Sequence, residues 1–378
     1  MTRWSHGRAR RLTQLRGTQR ALLVLAIGAP LVAAVASTVP PAGASTQVGT
    51  VEVFMHPQHS GAWTAHRLAG VVAGVGAPSV AATTGGDLVL AQRAIGGDVT
   101  EAVGAPTGRL TTTDLATAAG APAAVGRVVV DTSAGISVWY RTAVGDLEVV
   151  HRPAGGGGWL ATDVSASAGA GPIAGDPTVV PARAGSPVAY AATAAGGIAA
   201  FSAPTTPSGT WVESDPTGGL VTPPLAGSIG VPGAFGATWA TVLLATTTSG
   251  HVVELSNQLP GPFAAIGPWH QSDLTALGAP RASGELRTAA RGSGLAAYIS
   301  SNGDLIELAL ATGLPDGFTT TDLTRTADAA PAPGAVPALV EGPAGEAVAV
   351  RTTLGDVTLV PIATHGLVVD ATYSAVPA

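Results

Sequence analysis

Apolar and polar residues alternate along this chain in short runs bounded by Gly, Pro, Asn or Asp, without the 3.6-residue period of an amphipathic helix. Val128–Val130, Ile136–Tyr140 and Thr241–Leu244 are examples, rich in β-branched and aromatic side chains. The pattern predicts strands. It also repeats. A glycine-led turn opens a strand at Gly49, Gly97, Gly145, Gly196, Gly250, Gly303 and Gly355, at intervals of 48, 48, 51, 54, 53 and 52 residues. Asn302-Gly303 is a tight-hairpin signal, because both residues tolerate positive φ.

Within each copy a second strand starts 11 to 19 residues after the turn glycine: at Trp63, Leu110, Trp159, Trp211, Trp269, Phe318 and Gly366. From the second copy onward an acid stands four residues later, at Asp114, Asp163, Asp215, Asp273, Asp322 and Asp370. A proline then precedes two further apolar strands, often within Gly-Ala-Pro as at Gly76–Pro78, Gly120–Pro122 and Gly278–Pro280. Gly86-Asp87-Leu88 imitates a turn but falls out of phase, which leaves Leu88–Gln92 as the strand before Gly97. Four strands in about 51 residues form a sheet that cannot cover both of its own faces, so the expected fold is all-β: a β-propeller of four-stranded blades. Seven turn-to-aromatic hairpins alternate with six intervening hairpins. This predicts seven blades with one incomplete, or alternatively six with a surplus hairpin. With 51 Gly and 29 Pro, long helices are not expected.

Residues 1–44 read as a signal peptide and 45–378 as a single propeller domain. Six arginines precede an apolar stretch from Ala21 to Ala36, and Ala42-Gly43-Ala44 offers small residues for cleavage. Arg10-Arg11 is followed by a poor match to the twin-arginine pattern, so an ordinary charged leader is expected. The apolar stretch contains Gly28 and Pro30 and falls short of the ~20 residues of a membrane span. The expected location is therefore secreted or associated with the cell envelope, with no span after cleavage. Removal of the leader takes 6 of 18 basic residues and none of the 24 acids, moving the net charge from −6 to −12. Such a surface repels nucleic acid and anionic lipid.

All basic residues are arginine, which excludes lysine-dependent phosphate loops, Schiff bases and lysine general bases. The lysine-free, Ala- and Gly-rich composition fits a GC-rich, actinobacterial type of genome. Cysteine is absent, excluding thiol nucleophiles, thiolate metal sites and disulfides. No cofactor is indicated. His56, His59 and His66 cluster in one copy only, with Arg152 and Thr162 at the places equivalent to His56 and His66, and match no zinc spacing. No metal site is expected. Ala226–Gly230 loosely resembles a nucleophile elbow, yet the neighbouring prolines forbid the strand-to-helix turn it needs, so Ser228 is expected in a loop. A catalytic carboxylate pair would break repeat symmetry, whereas the six recurrent aspartates keep it. They are expected to accept backbone N–H bonds of the following turn, and the tryptophans to wedge between blades. The chain is thus expected not to be an enzyme. Its 16 aromatics and two Met offer little for a large apolar interface, favouring a monomer.

Arg93, Arg141 and Arg351 stand four residues before turn glycines, while Glu101, Glu254 and Glu307 stand four after and Glu148 three after. An exposed Arg–Glu pair on a hairpin contributes only ~0–1 kcal/mol. A cationic fork beside a carboxylate and an aromatic face also suits a sugar, whose hydroxyls take directional bonds while its ring stacks. The candidate ligand-binding residues are Arg93, Glu101, Arg141, Glu148 and Trp159.

The order of Ile136–Tyr140, turn, Leu147-Glu148, Gly-rich loop and Trp159 resembles the blades of fucose-binding lectin propellers and related six- and seven-bladed bacterial lectins. That resemblance spans residues 49 to about 372. It implies a sugar held by an Arg of one strand, a Glu of the next and an aromatic of an adjacent blade. Ser137 occupies the place of the family's Arg, with Arg141 at the strand's end, while Glu254 and Glu307 match the family's Glu without an Arg on the preceding strand. The expected function is a secreted, non-enzymatic binding module for glycan. The alternative is a structural or protein-interaction scaffold that binds a cell-surface polypeptide and has no sugar site.

Overall fold

The computed structural model describes the strands Arg20–Ile27, Leu31–Thr38, Val51–Pro57 and Thr64–Arg67, and then residues 75–361 apart from 84, 86, 106–108, 181–186, 205–208, 219, 221–224, 234–238, 259–267, 285, 289–294, 311–316, 328–329, 332–336, 343–344 and 352–356. These residues form an all-β structure of small antiparallel sheets, six of four strands and one of three, each a meander in chain order. The second sheet contains Val75–Ala82, Leu88–Arg93, Val99–Gly104 and Thr111–Asp114. The third contains Ala124–Asp131, Gly135–Thr142, Leu147–Pro153 and Leu160–Asp163. The fourth starts at Thr178–Val180, the fifth at Leu225–Gly233 and the sixth at Arg287–Thr288, and the last consists of Ala338–Gly342, Gly345–Arg351 and Val357–Pro361. Leu88–Arg93 is the strand before the Gly97 turn, so Gly86-Asp87 is indeed out of phase.

Middle strands are buried on both sides because alternate side chains enter different junctions. Val138 and Tyr140 pack towards the second sheet with Val89 and Val99, whereas Trp139 packs towards the fourth with Ala189 and Phe201. Leu243 and Leu244 divide in the same way between the fourth and sixth sheets. Trp159 wedges between the second and third sheets, and Trp139 meets Trp211 edge-on at 5.4 Å between the third and fourth. Trp63 lies outside the described residues.

A backbone bond ties four of the turns to the segment entering the next sheet. Ala124, Ile173, Leu225 and Ala282 donate their N–H to the carbonyls of Gly97, Gly145, Gly196 and Gly250, at 2.7, 2.8, 3.2 and 2.8 Å. Tyrosines add a second tie in two copies, Tyr140 donating to the Pro122 carbonyl and Tyr298 to that of Pro280.

Among the described residues the connectors between sheets contain three five-residue helices, Leu115–Ala119, Val164–Ala168 and Leu323–Ala327, that strand spacing alone did not anticipate. Their cause lies in the recurrent acids. Asp114 accepts from Ala116 N–H at 3.0 Å, Asp163 from Ala166 at 2.8 Å and Asp322 from Arg325 at 2.9 Å, satisfying donors that a helix start leaves open. Asp215 and Asp273 serve the corresponding turns through Thr217 and Ala276. Ser228 lies inside the strand Leu225–Gly233 rather than in a loop, which equally removes the strand-to-helix turn of a nucleophile elbow.

Residues read as the export leader include two paired strands. Arg20–Ile27 pairs with Leu31–Thr38, which pairs with Val51–Pro57, completing the first sheet of the full-length chain. The same alternation of small and branched apolar residues serves a leader core or a strand, so sequence patterning alone does not separate them. No helix among the described residues is long and apolar enough to cross a membrane.

Replacing one cap tests the role assigned to the recurrent acids. Asp114→Ala is expected to cost ~1 kcal/mol and to lower the thermal midpoint by about 2 °C. Calorimetry checks this; an unchanged midpoint would show the capping bond to contribute nothing.

Candidate functional site

Adjacent copies meet face to face, so residues one repeat apart can touch although neither belongs to the other's hairpin. Glu101, on Val99–Gly104, points into the junction with the third sheet, from which Arg152 on Leu147–Pro153 reaches back. The Arg152 Nη2 donates to Glu101 Oε1 at 3.1 Å, across 51 residues of sequence. The same guanidinium lies 4.7 Å from the centroid of the Trp159 ring, within cation–π range. Glu101 is 1 % exposed, whereas the Arg152 side chain keeps 30 % of its surface open. The guanidinium is thus the most exposed of the three groups, with the carboxylate and the indole buried beside it.

The structure therefore brings together two of the five residues singled out from sequence, Glu101 and Trp159, through a residue that was not among them. Arg152 had only been aligned with His56. Its signal was a spacing of one repeat from an acid on the facing side. The other three candidates lie apart from this cluster. Glu148 points into the same junction nearer the turn, level with Tyr140 and Asp163 in register. Arg141 points the other way, to Asp176 of the following sheet at 4.0 Å. Arg93 closes its strand opposite Val99. Of the histidines, His59 lies outside the described residues, and for His56 and His66 only the strand backbone is described.

Ser137 is buried and bonds His151 Nδ1 at 3.0 Å, with Asp131 in the same cross-strand row. Burial holds the His151 pKa below its ordinary value, with the Asp131 charge opposing that effect. Asp131 itself accepts from Ser133 N–H and Oγ. A shallow cavity of about 310 Å³ over the fourth sheet is lined by Thr193, Gly197, Glu213 and Asp215, among others. Among the described residues no group of three or more His, Asp or Glu could hold a metal ion.

Burial dominates the electrostatics of the junction between the second and third sheets. It raises the Glu101 pKa to about 7, against the opposing charge of Arg152 and a hydrogen bond from Thr113. Glu148 is also raised to about 7, by burial first and then by Asp163 and Asp146, while a backbone bond from Thr162 opposes the shift. The Tyr140 hydroxyl is raised as well, by burial and by Glu148. Two carboxyls in one junction thus change charge near neutrality.

Neither a protein-family model nor a curated protein matches this chain. Solved structures with a similar fold include a triple-arginine mutant of AofleA from Arthrobotrys oligospora, 12 % identical over 81 % of this chain and 87 % of that one, with a TM-score of 0.47. The SapL1 lectin in complex with alpha methyl fucoside is 15 % identical over 81 % of this chain and 96 % of that one, with a TM-score of 0.45. The Hadza microbial sialidase Hz136 is 10 % identical over 82 % of this chain and 66 % of that one, also with a TM-score of 0.45. The likeness to fucose-binding propeller lectins is one of fold, at low identity over most of the chain.

The raised Glu148 pKa carries a stability consequence of definite sign. Between pH 4.5 and about 7 the folded chain holds a proton at Glu148 that the unfolded chain has lost, so this group lowers stability as pH rises through that window. Glu148→Gln keeps the acceptor for the Thr162 bond and removes the charge. The variant is expected to melt roughly 3 °C or more above the wild type at pH 8 and at the same temperature at pH 4. Equal midpoints at pH 8 would contradict the assignment.

Proposed function

We propose that this chain is an exported, non-enzymatic β-propeller that binds glycan at the junction of its second and third sheets. The observation that carries this reading is the Glu101–Arg152–Trp159 cluster, assembled from two neighbouring copies. Other copies have no such pair at the equivalent sequence places, which hold Val53 with Gly104, Val149 with Ala203 and Glu254 with Leu310. A group kept for the frame recurs; this one does not. Glu101 and Trp159 fix the guanidinium from below, which leaves its remaining N–H donors for ligand hydroxyls. Trp159 acts here as a support for Arg152 instead of an open stacking face. A non-enzymatic role is supported by the engagement of Asp114, Asp163, Asp215, Asp273 and Asp322 in backbone capping, which leaves no symmetry-breaking carboxylate pair among them.

The proposed frame is a closed ring of seven blades. In support, the first strands of successive sheets are neighbours from Val75–Ala82 onward, and Arg20–Ile27 lies beside both Val75–Ala82 and Ala338–Gly342. Cleavage after Ala44 would remove Arg20–Ile27 and Leu31–Thr38, leaving the first blade with Val51–Pro57 and Thr64–Arg67, the incomplete blade expected from the repeat count, and the ring without that closing strand. The second reading, a protein-interaction scaffold at the envelope, is favoured by Ile95 and Val144, each 76 % exposed at the tips of neighbouring turns.

Glycan-array binding of the chain secreted from its own leader is expected to retain at least one class of sugar, and Arg152→Ala to abolish that retention. Binding that survives Arg152→Ala, or no binding to any glycan, would favour the scaffold. Intact mass of the secreted product is expected to correspond to residues 45–378.

A further inference from the structure

Arg93 and Arg141 occupy the same place in neighbouring sheets. Each stands four residues before its turn glycine and pairs with the residue two beyond it, Val99 or Leu147. Arg93 shares its strand face with Val89 and Ala91, which pack on the third sheet, just as Arg141 shares its face with Trp139, which packs on the fourth. Both guanidinium groups have an Nε atom buried with no hydrogen-bond partner. Buried donors are seldom left in that state, and charged ones least of all.

The two junctions differ in what meets the arginine. Ile173 donates to the Gly145 carbonyl, and three residues later Asp176 presents its carboxylate, which accepts from Arg127 N–H at 2.9 Å and lies 4.0 Å from the Arg141 Nη2. Ala124 makes the equivalent bond to Gly97, and three residues later stands Arg127 itself. The Arg127 guanidinium reaches on to the Pro177 carbonyl of the next sheet. Arg93 has no ion-pair or hydrogen-bond partner among the described residues. The flanking residues also shrink, from Pro172 and Ile173 to Ala123 and Ala124. At these places one copy has a carboxylate and larger side chains, while its neighbour has Arg127 and two alanines; the carboxylates that face Arg93's junction are Glu101, one same-face pair away, and Glu148 of the third sheet.

We propose that Arg93 binds the carboxylate of an external ligand, in the position that Asp176 takes beside Arg141. The site lies at the turn end of the same junction as the glycan site proposed above, with Arg93 one same-face pair from Glu101, whereas Arg152 lies at the far end of its strand. The geometry calls for a planar oxyanion small enough to reach a half-buried guanidinium: a free carboxylic acid or the carboxylate of an acidic sugar.

The test follows the Arg93 Nε–H resonance of the full chain during titration with glucuronate, acetate and glucose at constant ionic strength. Saturable shifts with glucuronate and acetate alike would support a general carboxylate site, and a shift with glucuronate alone an acidic-sugar site. Arg93→Lys, which keeps the charge and loses the fork, is expected to weaken binding, read from neighbouring backbone resonances, by about tenfold. Arg127→Asp supplies an internal carboxylate as in the next copy and is expected to abolish the response, while Arg141→Ala leaves it intact. No saturable response to either carboxylate, an equal response to glucose, or undiminished binding in Arg127→Asp would overturn the proposal.

Discussion

The hydrogen bond from the segment entering the next sheet to the carbonyl of the preceding turn glycine is the contact on which the arrangement of the central sheets depends. It recurs at Gly97, Gly145, Gly196 and Gly250. It requires the next chain segment to press against the turn. At Gly145 the positive φ of 95° and the approach of Pro172 leave no space for a Cβ, so the glycine is needed both for its conformation and for its size. Because the bond joins one sheet's turn to the segment that enters the next sheet, at the first strand itself for Ala124 and Leu225 and just before it for Ile173 and Ala282, it sets the offset of neighbouring copies. That offset decides which side chains face each other across the junction.

Once the sheets are stacked in this way, middle strands have no solvent face. Leu88, Val89, Leu90 and Ala91 are all fully buried although they point alternately to opposite sides. A charge on a middle strand must then find its partner across a junction or resist ionisation. Glu101 shows both responses, since it meets Arg152 and is still raised towards neutrality by burial. Glu148 has acids for neighbours and resists ionisation with less help. Arg141 meets Asp176 only at 4.0 Å, with its Nε left unpartnered. The outer strands are subject to no such demand, and Thr111–Asp114 is correspondingly polar.

Much of the frame was legible because its determinants are local. Turn glycines, strand alternation and the aspartate four residues after the aromatic each act within a hairpin, so a period of about fifty residues exposes them directly. The short helices were missed because their apolar content is too brief for a helical period; only the cap residue announces them, and Asp at that place also suits a turn. The site was legible in part. Glu101 and Trp159 stand out within their own copies, but Arg152 gains meaning only from the offset between copies, which no single hairpin encodes. Arg93 and Glu148 face the junction of the second and third sheets whereas Arg141 faces that of the third and fourth, because alternate residues of a strand leave on opposite sides. The strands at Arg20–Ile27 and Leu31–Thr38 mark a further limit, since leader core and buried strand share one apolar vocabulary.

Repetition supplies its own internal controls. If every copy served only to hold the ring, a given place would vary with packing volume and otherwise stay within one chemical type. The acids at 114, 163, 215, 273 and 322 behave in this way, and each caps a turn. The places of Arg152 and Asp176 do not. The first changes among histidine, glycine, arginine, alanine, asparagine, leucine and isoleucine from copy to copy, and the second changes sign between neighbouring copies. A frame that tolerates leucine or glycine at a junction has no need of a buried ion pair there, because desolvating two charges costs free energy that well-packed apolar groups do not. At the junction of the second and third sheets the charge pair is kept against that cost, and Arg152 is what distinguishes it, because Glu254 and Glu307 are buried at the place of Glu101 in other copies.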